Sequence, residues 1–234
     1  MAYNQFTLET VVERFRLKLQ GQADAFSTVP PASVSAHLRQ ALHLYSSLAQ
    51  HSGTEKARSE FLVAPVLSEV WQQSGRKVMV FSRVDFPVDP AEALGALGDF
   101  LLNLTPVPLV GDAPVIMIVE AKREDVERGL GQCLAELVAA QRFNAARGRP
   151  IPVVYGAVTT GFNWRFVTLS ERSVVMDLRD YSLAEVDRIV GILIQMVAWA
   201  SAAAAPGSDV PDGRTLLGRT ESERECAPEG AAAP

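Results

Sequence analysis

Residues 114–122 read PVIMIVEAK and decide the fold, because five consecutive apolar residues lead directly into an acid and a base. A short apolar run without alternation is typical of a central strand that is covered on both faces. Side chains two apart on a strand point to the same face, so Glu120 and Lys122 stand side by side while Ala121 faces the opposite layer. Burying an acid and an amine is unfavourable unless the two form an ion pair or take part in binding or catalysis. The segment therefore predicts a buried strand over 114–121, at whose end the acid and the base form a functional pair.

The segments on either side of this strand alternate between strand and helix patterns. Upstream, residues 77–84 (KVMVFSRV) and 97–104 (LGDFLLNL) predict two further strands. Downstream, the chain predicts a helix over 126–146, strands over 151–159, 164–169 and 173–177, and a last helix that Ser182 caps and that runs to about residue 200. Residues 160–163 (TGFN) have the composition of a turn between two of these strands.

The first 73 residues carry helical spacing of apolar side chains, which predicts helices over 7–19, 33–50 and 55–73. The complete order predicts an α/β fold, a mixed central sheet flanked by helices on both faces, preceded by N-terminal helices. We divide the chain into an N-terminal helical extension (1–52), a main domain (53–200) and a tail (201–234). The tail is rich in Ala, Pro, Gly and acids, and we expect it to be disordered.

Composition bears on the partners and the cell compartment that we expect for the protein. The formal net charge is −5, of which the six acids and three bases of residues 201–234 supply −3. A nearly neutral body neither indicates nor excludes a nucleic-acid partner. Two cysteines and no basic, apolar leader at the N-terminus predict a cytoplasmic protein. Residues 189–205 form an apolar, alanine-rich run that we interpret as a buried terminal helix, so we expect no membrane partner.

Asp99 interrupts the apolar strand that precedes residue 114, as Glu120 interrupts the strand that follows. If the two strands are neighbours, the two carboxylates converge, repel each other and attract a cation. Hard oxygen ligands that leave room for water suit Mg²⁺. Beside them, Lys122 is placed to orient or deprotonate an attacking water, or to stabilise the charge of a phosphoryl transition state. This combination predicts phosphodiester hydrolysis.

These residues resemble the PD-(D/E)XK nuclease superfamily, which has a restriction-endonuclease-like fold. Gly98-Asp99 and Glu120-Ala121-Lys122 carry the motif, and Gly98 stands where the superfamily's name-giving proline is expected. The superfamily's common core is a helix, three strands, a helix and a strand, which is the order predicted above. The segments EKARSE, VEAKRED, GLGQCLAELVAAQRFN and TTGFNW resemble an uncharacterised bacterial subgroup, and the resemblance covers roughly residues 7–200.

The resemblance implies a set of roles at the site. Asp99, Glu120 and the backbone carbonyl of Ala121 would bind Mg²⁺, for which Mn²⁺ would substitute. Glu60, on the helix before the strands, would bind a second metal ion or a metal-bound water, and Lys122 would act on the attacking water. The substrate would be nucleic acid, DNA in preference to RNA. Homodimerisation, with residues 7–50 as the interacting element, is a further expectation.

Three more residues are candidates for the second shell or for substrate contacts, and each has a structural alternative. Gln132 follows the motif strand on the next helix, but it can simply hydrogen bond to Glu136 one turn away. Arg142 can contact phosphate or complement the dipole of its helix. Trp164 can stack on a base or fill the core. For Glu60, the alternative is a charged helix face shared with Lys56 and Arg58.

Two hypotheses of different classes follow from the sequence. The first is a Mg²⁺-dependent nuclease. The second is a nuclease-fold protein that binds nucleic acid or a protein partner without turnover. The chain has no Walker-type loop or dinucleotide fingerprint. Its three histidines all lie within 37–51, without zinc-ligand spacing, so we do not expect histidine-based or zinc chemistry.

Overall fold

The computed structural model describes residues 6–83, 86–89, 94–96, 98–104, 114–122 and 126–205, and of residues 86–89 and 94–96 it describes the backbone alone. The α-helices are α1 (Leu8–Phe15), α2 (Ala36–Ser52), α3 (Glu55–Arg58), α4 (Ala64–Gln73), α5 (Val126–Ala146) and α6 (Val186–Ala203). The strands are β1 (Lys18–Gln22), β2 (Met79–Ser82), β3 (Phe86–Asp89), β4 (Leu94–Ala96), β5 (Phe100–Asn103), β6 (Val115–Ala121), β7 (Val154–Thr159), β8 (Asn163–Ser170), β9 (Ser173–Asp177) and β10 (Tyr181–Ser182).

Eight of these strands form one mixed sheet in the order β1-β9-β8-β7-β6-β5-β2, with β10 paired to β8. Strands β2, β5 and β6 are antiparallel neighbours, whereas β6 and β7 run parallel because α5 crosses over between them. Strands β7, β8 and β9 are again antiparallel, and β1 joins β9 in parallel. The predicted mixed α/β sheet is therefore confirmed.

Helices cover both faces of this sheet. On one face, a Cβ atom built on Gly156 of β7 would lie 2.8 Å from Cys133 Sγ and 3.0 Å from Leu137 of α5. The adjacent Tyr155 points to the other face, where its ring stacks on Trp199 of α6 at a centroid distance of 6.3 Å. Every residue of β6 is buried, as a strand between two helical layers requires.

The helix predicted over 55–73 is one continuous helical segment with an irregular centre. Thr54 accepts a hydrogen bond from the Ala57 N–H and caps its start, and Pro65 lies in the first turn of α4. Between α3 and α4, residues Ser59–Val63 form a π-helical turn. Such turns rotate the downstream helix face relative to the upstream one, and they are frequent near functional sites.

The prediction of a helix over 7–19 is wrong for its second half. Helix α1 ends at Phe15, because Arg16 adopts the left-handed conformation with φ 52°. Residues Lys18–Gln22 then form β1, an edge strand with no alternation of apolar side chains. Its strand conformation comes from pairing with β9 rather than from local preference. Residues 6–52 thus supply a strand to the sheet, and their buried side chains belong to the same core.

Helix α6 carries apolar side chains along its whole length. Among the described residues, one helical stretch, Leu183–Ala203, is long and apolar enough to cross a membrane, and half of it is buried inside the structure. Ile189, Ile192 and Met196 are fully buried in the core. This agrees with the interpretation of α6 as a core helix. Most of the predicted tail, residues 206–234, lies outside the described residues, and residues 201–203 continue α6.

Candidate metal centre

The pairing of β5 with β6 brings Asp99 and Glu120 together. Phe100 pairs with Val119 in the antiparallel register, so the residue before Phe100 lies opposite the residue after Val119. Directly opposed residues of antiparallel strands project to the same face of the sheet. Asp99 is 7% exposed and Glu120 is 2% exposed, and the negative charge of Asp99 acts on the Glu120 carboxyl. The register thus places the two acids side by side on one face of the sheet, as the sequence predicts.

A chain of hydrogen bonds runs from this pair onto α5. The Lys122 Nζ atom donates to Glu120 Oε1 in a short ion pair, and it also donates to Gln132 Oε1 at 2.9 Å. The Gln132 Nε2 atom donates to Glu136 Oε1 at 2.9 Å. Gln132 and Glu136 are one helical turn apart, so α5 presents both side chains to β6. Gln132 therefore contacts Lys122, as the second-shell prediction requires, and it also makes the hydrogen bond to Glu136 that was the structural alternative.

Burial dominates the electrostatics of the two glutamates. It raises the pKa of Glu120 to about 7, and the charge of Asp99 adds to the shift while the Lys122 ammonium opposes it. Burial and the neighbouring Glu120 raise the pKa of Glu136, which is fully buried, well above its usual range. Both glutamates therefore hold their protons to a higher pH than an exposed glutamate does. The Oε2 atoms of both residues have no hydrogen-bond partner in the described part of the chain.

Lys122 behaves differently from its neighbours. Burial alone would lower its pKa, but the carboxylates of Glu120, Glu55 and Asp99 together raise the pKa of Lys122 above the ordinary value. The side chain therefore carries a positive charge at neutral pH. A permanently charged amine stabilises negative charge or orients a water molecule, whereas it cannot accept a proton from that water. Of the roles predicted for Lys122, the electrostatic and orienting ones fit this geometry.

Asp99 has two partners of its own. Its Oδ2 atom accepts a hydrogen bond from the Ala121 N–H at 3.0 Å, and its Oδ1 atom accepts from Arg83 Nε at 3.2 Å. The Arg83 side chain is 61% exposed, so this ion pair lies at the mouth of the site. The N–H and C=O groups of one strand residue face the same neighbouring strand. The Ala121 carbonyl is therefore directed to the edge where Asp99 lies.

Glu60 does not join this cluster. Its side chain is 57% exposed and forms an ion pair with Lys56 at 3.7 Å, in the charged-face arrangement that was the alternative interpretation. The acid of the same helical segment whose charge reaches Lys122 is Glu55, which begins α3. The π-helical turn lies between α4 and this end of the helix, so spacing counted on a regular α-helix does not apply to Glu60.

The other two candidate side chains lie away from the acidic pair. Trp164 is fully buried and packs against Phe166 at a ring-centroid distance of 6.4 Å, so it offers no ring face to a base. Arg142 lies over the ring of Phe15 at 5.3 Å. It is ten residues beyond Gln132 on α5, which corresponds to about 15 Å along the helix axis. Neither residue can contact a ligand that is bound between Asp99 and Glu120.

Sequence reasoning missed two residues of the site. Glu136 was noted only as a neighbour of Gln132, and its signal was an acid among apolar residues in the middle of a helix that the sheet covers. Arg83 follows β2, and its N–H donates to the Asp99 carbonyl at 3.1 Å as a continuation of the β2–β5 pairing. Its signal lay in the register of the β2–β5 pairing, which the sequence does not reveal.

The donor set of the cluster suits a hard cation held by few protein ligands. In the described residues, no group of three or more His, Cys, Asp and Glu side chains is arranged to hold a metal ion. Mg²⁺ commonly uses one or two carboxylates and completes its shell with water and substrate phosphate. The residues present, two converging carboxylates with an unpartnered Glu120 oxygen, fit Mg²⁺ bound in that open manner.

We expect Gly129→Ala to disturb the site through packing. A Cβ atom at Gly129 would lie 2.4 Å from Val158 and 2.9 Å from Lys122 Cγ, so the helix or the lysine must move. Overpacking of this kind costs about 1–3 kcal/mol of unfolding free energy. Chemical denaturation measures that loss. Gly21→Ala is the control, because its added methyl group would meet only the side chain of Leu178, which is 57% exposed. A stability for Gly129→Ala equal to the wild-type value would contradict the close approach.

Comparison with models of known protein families finds no match for this chain, and none of the curated proteins matches it significantly. The functional interpretation therefore depends on the fold and on the geometry of the site.

Proposed function

We propose that the protein is a Mg²⁺-dependent nuclease of the PD-(D/E)XK type that hydrolyses phosphodiester bonds, in DNA in preference to RNA. The observation that carries the proposal is the convergence of Asp99 and Glu120 at one edge of β6, with the charged amine of Lys122 paired to Glu120. An acid pair, a cation and an adjoining backbone carbonyl supply what a phosphoryl-transfer site needs from the protein.

The architecture around the site supports a restriction-endonuclease-like core. Helix α4 is followed by the antiparallel strands β2, β5 and β6, with the separate β3–β4 pair inserted between β2 and β5, then by α5, and then by β7 parallel to β6. This is the order of helix, three strands, helix and strand that the superfamily resemblance implies. Asp99 immediately precedes the second of these strands, β5, Glu120 lies on the third, β6, and Lys122 follows β6, as the motif requires.

Each residue of the site has a defined task in this proposal. Asp99 and Glu120 supply hard oxygen ligands, and the Ala121 carbonyl faces the same edge. Bound Mg²⁺ would polarise the scissile phosphate and make water a better nucleophile. Lys122, held between Glu120 and Gln132, orients the attacking water and balances charge on the phosphate. Glu136 accepts a hydrogen bond from the Gln132 amide and so holds its orientation, and burial raises the pKa of Glu136 in favour of the neutral acid.

Cleavage by the purified full-length chain tests the proposal. The assay uses supercoiled plasmid, single-stranded DNA and single-stranded RNA, each with Mg²⁺, with Mn²⁺ and with EDTA. We expect metal-dependent nicking that EDTA abolishes, and loss of that activity in Asp99→Ala. Activity that persists equally in Asp99→Ala would indicate a contaminating nuclease, and absence of cleavage on every substrate would refute the proposal.

One observation favours the alternative, a nuclease-fold protein that binds nucleic acid or a protein partner without turnover. Asp99 accepts hydrogen bonds from Arg83 and from the Ala121 N–H, and Glu120 forms an ion pair with Lys122. The negative charges of both acids are therefore already balanced within the protein. In that case, DNA binding should be retained without cleavage, and Arg83→Ala should not create Mn²⁺ binding. Under the nuclease proposal, Arg83→Ala should instead leave Mn²⁺ binding intact or strengthen it.

We expect Glu60→Ala to leave metal-dependent cleavage within about twofold of the wild-type rate and stability within about 0.5 kcal/mol, because exposed ion pairs contribute little. The same plasmid assay and thermal unfolding measure both quantities. Lys56→Ala, which breaks the same ion pair from the other side, is the matched control. A loss of cleavage in Glu60→Ala but not in Lys56→Ala would assign Glu60 the metal-related role that the superfamily resemblance implies.

A further inference from the structure

Five exposed basic residues, here called the basic patch, come together at the far end of the sheet from the acidic pair: Arg14, Arg16, Lys18, Arg142 and Arg172. Three separate parts of the chain contribute them, namely the end of α1 with the start of β1, the second half of α5, and the β8–β9 hairpin. In these segments (13–18, 141–142 and 171–172), the five bases are accompanied by two acids, Glu13 and Glu171, in a chain whose net charge is −5.

Direct contacts join the three parts. The guanidinium groups of Arg14 and Arg142 both lie near the ring of Phe15, at 5.9 and 5.3 Å from its centroid. The backbone N–H of Lys18 donates to the Arg172 carbonyl at 2.7 Å, where β1 begins its pairing with β9. The Gln141 side-chain amide, beside Arg142, donates to the Glu171 carbonyl and accepts from the Glu171 N–H in the β8–β9 hairpin, each at 3.1 Å. The fold therefore gathers residues that are up to 158 positions apart in sequence, from Arg14 to Arg172.

Helix dipoles account for only part of this arrangement. Arg14 and Arg16 lie at the C-terminal end of α1, where a positive charge complements the helix dipole. Lys18 and Arg172 belong to an edge strand and to a hairpin, where no helix dipole favours them. Four of the five residues are arginines, whose planar guanidinium groups match phosphate oxygens in pairs better than an ammonium group does.

We propose that the basic patch binds the phosphate backbone of nucleic acid as an anchor that is separate from the cleavage centre. Strand β1 begins level with the start of β6 at Val115, six residues before the end of β6 at Ala121, and it lies four strand positions from β6 across the sheet. This places the patch roughly 20 Å from the acidic pair along the strands and roughly 20 Å across them. The inference rests on the proposed function only for its choice of partner, because anchoring needs no hydrolysis.

Charge reversal of a single lysine tests the anchor against a matched control. Lys18 is exposed at the start of the edge strand β1, and Lys77 is exposed just before the opposite edge strand β2, at the same end of the sheet. Binding of a fluorescent duplex of about 20 base pairs is measured by anisotropy in EDTA over a range of salt concentrations. Because EDTA prevents metal-dependent cleavage, a failure of the nuclease proposal does not affect this measurement.

We expect Lys18→Glu to weaken duplex binding by about three- to tenfold and to reduce the salt slope by about one unit, whereas Lys77→Glu changes affinity less than about twofold. Lys18→Gln/Arg172→Gln, which removes two charges without adding acids, should weaken binding in the same direction. Unchanged thermal unfolding shows that the variants are folded. Equal effects of Lys18→Glu and Lys77→Glu, no duplex binding by the wild type, or tighter binding to vesicles containing phosphatidylserine than to the duplex would each overturn the proposal.

Discussion

Lys122→Ala is expected to reduce metal-dependent cleavage by at least about 100-fold, because removal of one preorganised donor from a phosphoryl or acyl transition state has effects of that size. Metal binding should survive, since both carboxylates remain and the ammonium group that competes for Glu120 is gone. Asp99→Ala should lose both properties. Its Mn²⁺ affinity should fall by more than about 100-fold, because even the loss of an outer partner of a metal ligand costs about 10–100-fold.

Plasmid nicking and calorimetric Mn²⁺ titration at pH 8, above the pKa of Glu120, separate the two variants. Lys56→Ala is the control for the loss of a lysine, because its side chain is 75% exposed and paired to Glu60. Thermal unfolding establishes that all three variants are folded. Wild-type cleavage by Lys122→Ala would reduce Lys122 to a structural counter-ion, and Mn²⁺ binding by Asp99→Ala at the wild-type affinity would remove Asp99 from the metal centre.

The parts of the fold that the sequence predicts well are those with strong local patterns. Helix α5 has the predicted bounds, and β6 differs by one residue from the predicted 114–121, because continuous apolar runs and helical spacing mark buried elements clearly. Strand β1 was missed because KLQGQ is polar and becomes a strand only by pairing with β9. Long-range pairing of this kind leaves no trace in local composition.

The acidic pair was predictable because strand periodicity and strand adjacency have simple rules. Glu120 and Lys122 share a face by alternation, and Asp99 lies opposite Glu120 once the two strands are neighbours. Glu60 shows a first limit, since its assignment followed only from the superfamily resemblance, and its side chain in the π-helical turn is 57% exposed and paired to Lys56. Glu136 shows a second limit. Whether an acid in the middle of a helix is solvated or buried depends on which face the sheet covers, and that is a property of the packed structure.

The largest pH effect should appear in metal binding by the wild-type protein. The pKa of the Glu120 carboxyl is raised to about 7 by burial and by the charge of Asp99, so protons compete with the metal ion below that pH. We expect the Mn²⁺ affinity to be nearly constant above pH 7 and to fall by about tenfold per pH unit below it, which is about 100-fold by pH 5. Calorimetry at pH 6 in buffers of different ionisation enthalpy should detect release of about one proton per ion bound.

The Glu120 carboxyl also makes the metal-free protein less stable as the pH rises. The folded protein retains the Glu120 proton up to about pH 7, whereas the unfolded chain loses it near the ordinary value of 4.5, so the folded state binds more protons between these two pH values. The stabilisation is complete below about pH 4.5 and is lost as the pH passes through 7, by roughly 3 kcal/mol in total. Glu136, whose pKa burial also raises, contributes with the same sign.

The double variant Glu120→Gln/Glu136→Gln should therefore lack this decline in stability when urea unfolding of wild type and variant is compared from pH 5 to 7.5 in EDTA. Parallel pH profiles for the two proteins, or an Mn²⁺ affinity that does not change between pH 5.5 and 7.5, would show that Glu120 is already ionised in the folded protein.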